Sequence, residues 1–303
     1  MEAIKNNPLP RGGCVMAIGV FDGVHVGHAF LLEKAKSEAE KLKKPLFVFT
    51  FTETPKNEYS KNISLVSEKP RLLEKCGADM VYTADFSRLR GLSPEDFVKN
   101  VLIGQFDTYC VVCGYDFRFG SGRRGDTEML FSLLESDGRE CVVIPPVYVG
   151  DEIVSSTLIR GYISKGDMEK ASKLLGRAYS FSLPVSNGSK IGRTLGFPTI
   201  NQRFPDELVT PSFGVYACRC EFDGKTMDGV ADVGTKPTVD GKGGAVCETH
   251  IFGFCGDLYG KTVKTELLRK FRDEKKFASV EELKTAIEED TKKAKEYFAK
   301  KAK

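Results

Sequence analysis

Hydrophobic positions in the first 150 residues follow two alternating rhythms. Compact apolar runs at Val15–Val20, Leu46–Phe51, Met80–Thr83, Asp107–Cys113 and Cys141–Ile144 read as buried strands. Between them, Ala29, Leu32, Ala35, Ala39 and Leu42 recur at helical spacing and mark a helix over Ala29–Lys43, closed by Pro45. Glu68–Cys76 reads as another helix, ending at Gly77. Ser93-Pro94-Glu95-Asp96 carries a capping serine with proline at the first helical position, and Asp126 caps a helix over Thr127–Ser136. Strands alternating with helices predict an α/β module with a doubly wound parallel sheet, in which ligands bind beyond the carboxyl ends of the strands.

The rhythm changes after Leu174-Leu175-Gly176-Arg177. Short extended runs punctuated by glycine follow at Phe181–Val185, Gly214–Phe222, Gly229–Val233, Glu248–Phe254 and Lys261–Leu268, with Asp223-Gly224 as a hairpin signal. They predict a small all-β barrel or sandwich. Ser279-Val280-Glu281-Glu282 is a capping box that opens a final helix through Leu283, Ile287, Ala294 and Phe298. The chain therefore reads as α/β plus β, divided into modules 1–176 and 177–303, a division that its 303 residues favour.

Composition narrows the class without choosing a chemistry. A hydrophobic content of 41% and a charged content of 29% describe an ordinary globular protein. A net charge of +3 gives no sign of a general nucleic-acid binder. No uncharged apolar run is long enough to span a bilayer, and MEAIKNNPLPRGG lacks a signal-peptide core, so a cytoplasmic protein with no membrane or nucleic-acid partner is expected. Oligomeric state is left open. Nine cysteines, an odd number, fit reduced thiols. Cys110-Val111-Val112-Cys113 sits in a β-branched run without a second such pair, which favours a buried strand over a metal or redox site.

Chemistry gathers first at MAIGVFDGVHVGH, which holds two of only three histidines, His25 and His28. A strand running through glycines into a helix offers free N–H groups and a positive dipole end to an anion. Phosphate contact is the favoured reading. A metal site lacks a third ligand nearby, and plain local hydrogen bonding is the other alternative. Asp116 and Arg118 follow a strand and fall on the same rim, and Gly120–Gly125 is a basic, glycine-rich stretch suited to closing on phosphates. Ser155-Ser156-Thr157-Leu158-Ile159-Arg160 places hydroxyls and a guanidinium at a helix start, where they can stabilise charge on phosphate oxygens.

GVFDGVHVGH with SSTLIR resembles the nucleotidyltransferase superfamily, which has an H-x-G-H phosphate motif and an S-T-x-x-R motif. GRTLGFPTIN, GVYACRC, ETHIF, GDLYGK and LRKFRDEKKF, in that order, resemble the riboflavin kinase module. Together, over nearly the whole chain, they resemble the bacterial bifunctional riboflavin kinase/FAD synthetase family. The resemblance implies two reactions with ATP as co-substrate and Mg²⁺ as metal: riboflavin to FMN in the second module, then FMN to FAD with release of pyrophosphate in the first. It implies an adenylyltransferase ATP site of Gly19, Phe21, Asp22, Gly23, His25, His28, Asp116, Ser156, Thr157 and Arg160, with His28 and Arg160 in catalysis. For the kinase it implies ATP contacts from Gly192, Arg193, Gly196, Pro198 and Thr199, and Mg²⁺ on Thr199 and Asn201, which an extended segment puts on one side. Glu248, expected to open a strand, is the implied base for the ribityl hydroxyl and a flavin contact; Arg272 is the implied arginine of the flavin-end loop. His250 shares the face of Glu248 and receives no chemistry.

Two departures stand out. Family members carry an F-D-P-H-P-like segment after the second strand, where this chain has Phe51-Thr52-Glu53-Thr54-Pro55. Ile200 replaces the alanine usual between the two metal-site residues. The first motivates one competitor to the bifunctional reading, a kinase with a degenerate first module; a flavin-binding or regulatory protein that keeps pockets without turnover is the competitor from another class.

Overall fold

The computed structural model describes residues 12–52, 61–188, 191–236 and 244–301. Glu53, Thr54 and Pro55 of the departing segment and the side chain of Arg193 lie outside the described residues. The chain divides into two compact units, Met1–Ser156 and Thr157–Lys303.

The first unit is built on strands β1 (Cys14–Ile18), β2 (Leu46–Phe51), β3 (Met80–Ala84), β4 (Thr108–Gly114) and β5 (Glu140–Ile144), all parallel, in the order β3-β2-β1-β4-β5. Alternation along the strands sends side chains to two cores. Val15, Ala17, Val48, Cys110 and Val112 meet Leu32, Ala35 and Ala39 of helix α1 (Val26–Leu42) and Leu73 of α2 (Lys69–Lys75). Met16, Ile18, Phe49, Val111 and Cys113 meet the other layer. That layer contains the short α3 (Phe86–Leu89), the turn α4 (Pro94–Asp96) continuing into a π-helix at Phe97–Gln105, and α5 (Thr127–Glu135). The Cys110-x-x-Cys113 pair is thus split between opposite faces of the sheet, as a strand requires and as a shared metal ion would forbid. Strand order reverses direction at β1 and β4, so the bend after β1 lies at the topological switch point. A two-stranded hairpin, β6 (Tyr148–Val149) and β7 (Glu152–Ile153), closes the unit.

The second unit opens with α6, which runs Ser156–Lys165 across the division, and α7 (Met168–Leu175). Helix α7 buries Met168, Ala171, Leu174 and Leu175 and packs on two barrel strands, which is why 157–176 joins this unit. The barrel comprises β8 (Tyr179–Ser186), β9 (Ile200–Arg203, after the short α8 at Ile191–Thr194), β10 (Gly214–Phe222), β11 (Lys225–Lys236), β12 (Gly244–Ile251) and β13 (Thr262–Asp273). It closes in the order β10-β11-β12-β9-β8-β13. Phe222 pairs with Lys225 around Asp223 and Gly224, both at positive φ, the two-residue turn that Asp-Gly favours. Interior Gln202 donates to the carbonyls of Leu183 and Val263 and accepts from Thr265, so its buried amide is satisfied. Helix α9 (Val280–Lys301), capped by Ser279, lays Ala294 on Val215 and Val230.

Two expectations about strand limits are corrected. Glu248 does not open a strand; it lies midway along β12, paired on both sides. Arg272 is not in a loop but in the last turn-ward residues of β13, which continues past Leu268 because two bulges let it keep pairing with β10. No helix among the described residues is long and apolar enough to cross a membrane.

Candidate functional site

The β1–α1 bend is strained. Phe21 and Val24 hold φ of 51° and 39°, with Gly23 at 75° between them. A β-branched residue at positive φ costs on the order of 1–3 kcal/mol and persists only where surroundings impose it. Those surroundings are visible: Phe21 is wholly buried, and Asp22 Oδ1 accepts from the Ile63 N–H at 2.9 Å. Ser156 Oγ donates to the Asp22 carbonyl at 3.1 Å, tying the start of the S-T-x-x-R motif to the bend. A Cβ on Gly23 would stand 2.8 Å from Ile63 Cγ2, so only glycine fits.

His25 is the N-cap of α1, whose first residue, Val26, lies three positions before the expected start at Ala29; the His25 Nδ1 accepts the His28 N–H at 3.2 Å. Accepting there leaves the neutral ring's proton on Nε2, which becomes a donor at the positive end of the helix. The His28 ring stacks on His25 with centroids 3.5 Å apart and a 14° interplanar angle, and Phe21 meets His28 edge-on at 5.1 Å. The two imidazoles thus form one slab over the start of α1, the end of a helix whose free N–H groups suit an anion.

Lys69, which sequence reasoning missed, lies beneath this bend. It is 3% exposed, and its Nζ donates to the carbonyls of Val20 (3.0 Å) and Phe51 (3.1 Å) and to Thr50 Oγ1 (3.4 Å). A buried ammonium at the carboxyl ends of β1 and β2 puts fixed positive charge where an anion would sit. Its only sequence signal was a lysine beginning a helix whose other residues are amphipathic, and that pattern alone places it on the surface.

The remaining rim residues are less convergent. Asp116 is exposed just beyond β4, and Arg118 pairs with Asp126 at 3.1 Å. Asp126 accepts the Met129 N–H as cap of α5, the main cause holding its carboxyl below the usual range. The Gly120–Gly125 stretch, read as suited to closing on phosphates, is pinned at its base by paired hydrogen bonds between Phe119 and Gly125. In the second unit, Thr157 Oγ1 accepts from Arg160 Nη2 at 3.3 Å.

On the barrel, register assembles the site. Asn201 pairs with Glu248, Glu248 with Asp232, Asp232 with Val215 and Val215 with Arg272, one row across five strands. Ile200 turns the other way, into a core with Val185 and Cys220, so its bulk does not come between Thr199 and Asn201. The loop before β9 is closed by the Phe197 N–H on the Gly192 carbonyl (2.7 Å), with Gly196 at φ 88°. His250 Nδ1 lies 2.9 Å from the Pro198 carbonyl, which can only accept, so the ring N–H fixes the residue before Thr199. At the row's far end Arg272 is gripped by Asp290 of α9: Nη2 to Oδ2 2.7 Å and Nε to Oδ2 3.0 Å, with Asp290 nearly fully buried. Asp290 and Asp232 were not singled out from sequence; only pairing and the docking of α9 bring them here.

A model of the FAD synthetase family matches residues 8–158 and one of the riboflavin kinase family matches 175–298. Fold and matches define a nucleotidyltransferase-type module followed by a flavokinase barrel. The bifunctional riboflavin kinase/FMN adenylyltransferase of Escherichia coli (strain K12) is 35% identical over 296 residues, 95% of this chain and 94% of its own. That of Bacillus subtilis (strain 168) is 34% identical over 295 residues, 94% and 92% of the two chains. A solved structure described as a macrolide-efflux protein from Streptococcus pneumoniae superposes with TM-score 0.84 at 33% identity, covering 95% of this chain and 96% of its own. The efflux label belongs to that protein; the likeness is of fold and sequence. This chain belongs to the bifunctional riboflavin kinase/FMN adenylyltransferase family.

Proposed function

We propose that the chain converts riboflavin to FMN and FMN to FAD, each step using one ATP, with the chemistry divided between modules 1–176 and 177–303. The observation that carries this reading is that one chain holds both a strained, histidine-capped anion bend and a barrel row with Asn201 opposite Glu248.

In the kinase, Glu248 takes the proton of the ribityl 5′-hydroxyl as that oxygen attacks the γ-phosphorus of ATP; the bond to the bridging oxygen breaks and ADP leaves. Gly192, Gly196 and Pro198 let backbone approach the nucleotide, with Arg193 beside them. Arg272, preset by Asp290, meets the flavin end. Thr199 and Asn201 would hold Mg²⁺. Their neutral oxygens suit that ion. When bound, Mg²⁺ would neutralise phosphate charge.

In the adenylyltransferase, an FMN phosphate oxygen attacks the α-phosphorus of ATP, the α–β bond breaks and pyrophosphate leaves. His25 and His28 donate to the oxygens on which charge develops. Ser156, Thr157 and Arg160 of the S-T-x-x-R motif are the further ATP contacts of this reading. Backbone of Gly19, Phe21 and Gly23 contacts the nucleotide; the Asp22 carboxylate, occupied by Ile63, serves by holding the bend, and Asp116 reaches the ribose or base from the rim. A cytoplasmic setting belongs to the same reading, supported by the ATP requirement and by nine free thiols.

The test is a chromatographic product assay with riboflavin, ATP and Mg²⁺. FMN followed by FAD is expected. FMN alone would mean a kinase with an inactive first module, and neither product would mean a flavin-binding protein.

A further inference from the structure

We propose that Gly188 is a positioning residue for Asn201: its bare α-carbon is the surface against which the Asn201 amide is held on the Glu248 row. The proposal rests on the reading that Asn201 serves the kinase reaction. Strand β8 ends at Ser186, which pairs with Asn201 and donates its Oγ to the Asn201 carbonyl at 3.2 Å. Two residues later the chain folds back over the Asn201 side chain. A Cβ on Gly188 would stand 2.6 Å from Asn201 Cγ and 2.7 Å from Oδ1, with Nδ2 closer still. Near-equal distances to all three atoms mean that the glycine covers the amide on its face, not at one end.

The requirement is steric. Gly188, unlike Gly196, does not sit in the left-handed region, so another residue could adopt its backbone; what it could not do is leave room for the amide. Asn201 has little freedom to retreat, being 6% exposed and paired on both sides by β8 and β12. A methyl at 188 therefore drives the amide away by on the order of 1 Å, because close-packed interiors do not absorb such an overlap. A displacement of that size at a reacting centre costs roughly 10²-fold in rate. The role assigned to Gly188 is to leave room for the Asn201 amide, through which it acts.

Three full-length variants test this: Gly188→Ala, Asn201→Ala and the double substitution. Gly188→Ala should lower FMN formation by about 10²-fold, raise the Mg²⁺ concentration needed for half-maximal rate, and lower the melting temperature of the barrel. FAD formation from supplied FMN should not change. In the Asn201→Ala background the same glycine substitution should leave the melting temperature where Asn201→Ala alone puts it, since nothing remains to collide. Equal losses in both backgrounds would show that Gly188 acts through its own loop and overturn the proposal, as would wild-type FMN formation by Gly188→Ala. Normal FMN formation by Asn201→Ala would remove Asn201 from the reaction and the proposal with it; melting coupling that survives would then mark that outcome as a failure of the Asn201 reading and not of the contact.

Discussion

Glu248 stands directly across the β12–β9 ladder from Asn201, so a carboxylate and an amide share one face of the barrel. Residues opposed in an antiparallel pair have Cβ atoms about 4.5–5.5 Å apart, close enough to serve one phosphoryl-transfer centre. Glu248→Gln keeps the shape and removes the proton acceptor. FMN formation should fall by about 10²–10⁴-fold while FAD formation from supplied FMN is unchanged. Near-normal FMN formation would remove Glu248 from the base role.

At the other module, the two histidines can be separated by what each substitution preserves. His25→Asn keeps a capping acceptor but loses the Nε2 donor, so stability should hold while FAD formation drops. His25→Ala should also cost about 1 kcal/mol of stability through the lost cap. His28→Ala should reduce FAD formation by roughly 10²–10³-fold, as removal of a donor to developing charge does. Stoichiometric zinc in the purified protein, lost with these histidines, would instead support a metal site.

Lys69→Met replaces the buried ammonium by a chain of similar length and removes its bonds to the carbonyls of Val20 and Phe51, leaving Val20 with the Thr50 hydroxyl as donor. Each lost bond to a charged group is worth about 1.5–3 kcal/mol, so urea unfolding of the first unit should shift to clearly lower concentration. FAD formation should fall more than Lys69→Arg makes it fall, because arginine keeps the charge.

Breaking a buried pair at one end strands the other charge, which costs about 3–5 kcal/mol. Asp290→Ala should therefore loosen α9, with a weaker loss here because Arg272 keeps some solvent contact. Riboflavin affinity, read by quenching of flavin fluorescence, should drop with Asp290→Ala and recover in part with Asp290→Glu. Unchanged affinity would take Arg272 away from the flavin.

Burial pushes the thiols of Cys14 to about 11 and of Cys110 and Cys247 to about 12, against an ordinary 9.0. Raised values favour the protonated form in the folded state. Their contribution to stability is therefore full below pH 9 and is lost as pH rises from there through 11–12, which an alkaline unfolding titration would show. Exposed Cys255 should react first with a thiol reagent at pH 8, and Cys14, Cys110 and Cys247 only on unfolding.

A related expectation concerns the division of the chain. A fragment beginning at Arg177 lacks α7 and exposes the barrel surface that Met168, Ala171, Leu174 and Leu175 cover. A fragment from Thr157 should be the more stable of the two in urea, with both forming FMN; equal stability would mean that α7 contributes nothing to the barrel.

Sequence by itself determined the order of elements, because period-2 and period-3.6 patterns are local: five parallel strands with helices between them, then glycine-punctuated strands and a capped helix. It determined the Asp223-Gly224 turn, the caps at Ser93, Asp126 and Ser279, and the residue types at both sites, since turn and cap chemistry depends on neighbours within four positions. It could not determine where strands end, so Glu248 and Arg272 were misplaced within theirs; a strand continues for as long as a partner pairs with it, and the partner is remote in sequence. Nor could it find Lys69, Asp232, Asp290 or the role of Gly188, whose environments are made by residues 13 to 49 positions away. Tertiary structure alone decided these, because burial, register and steric exclusion are properties of pairs of elements, and a single stretch of chain carries only half of each pair.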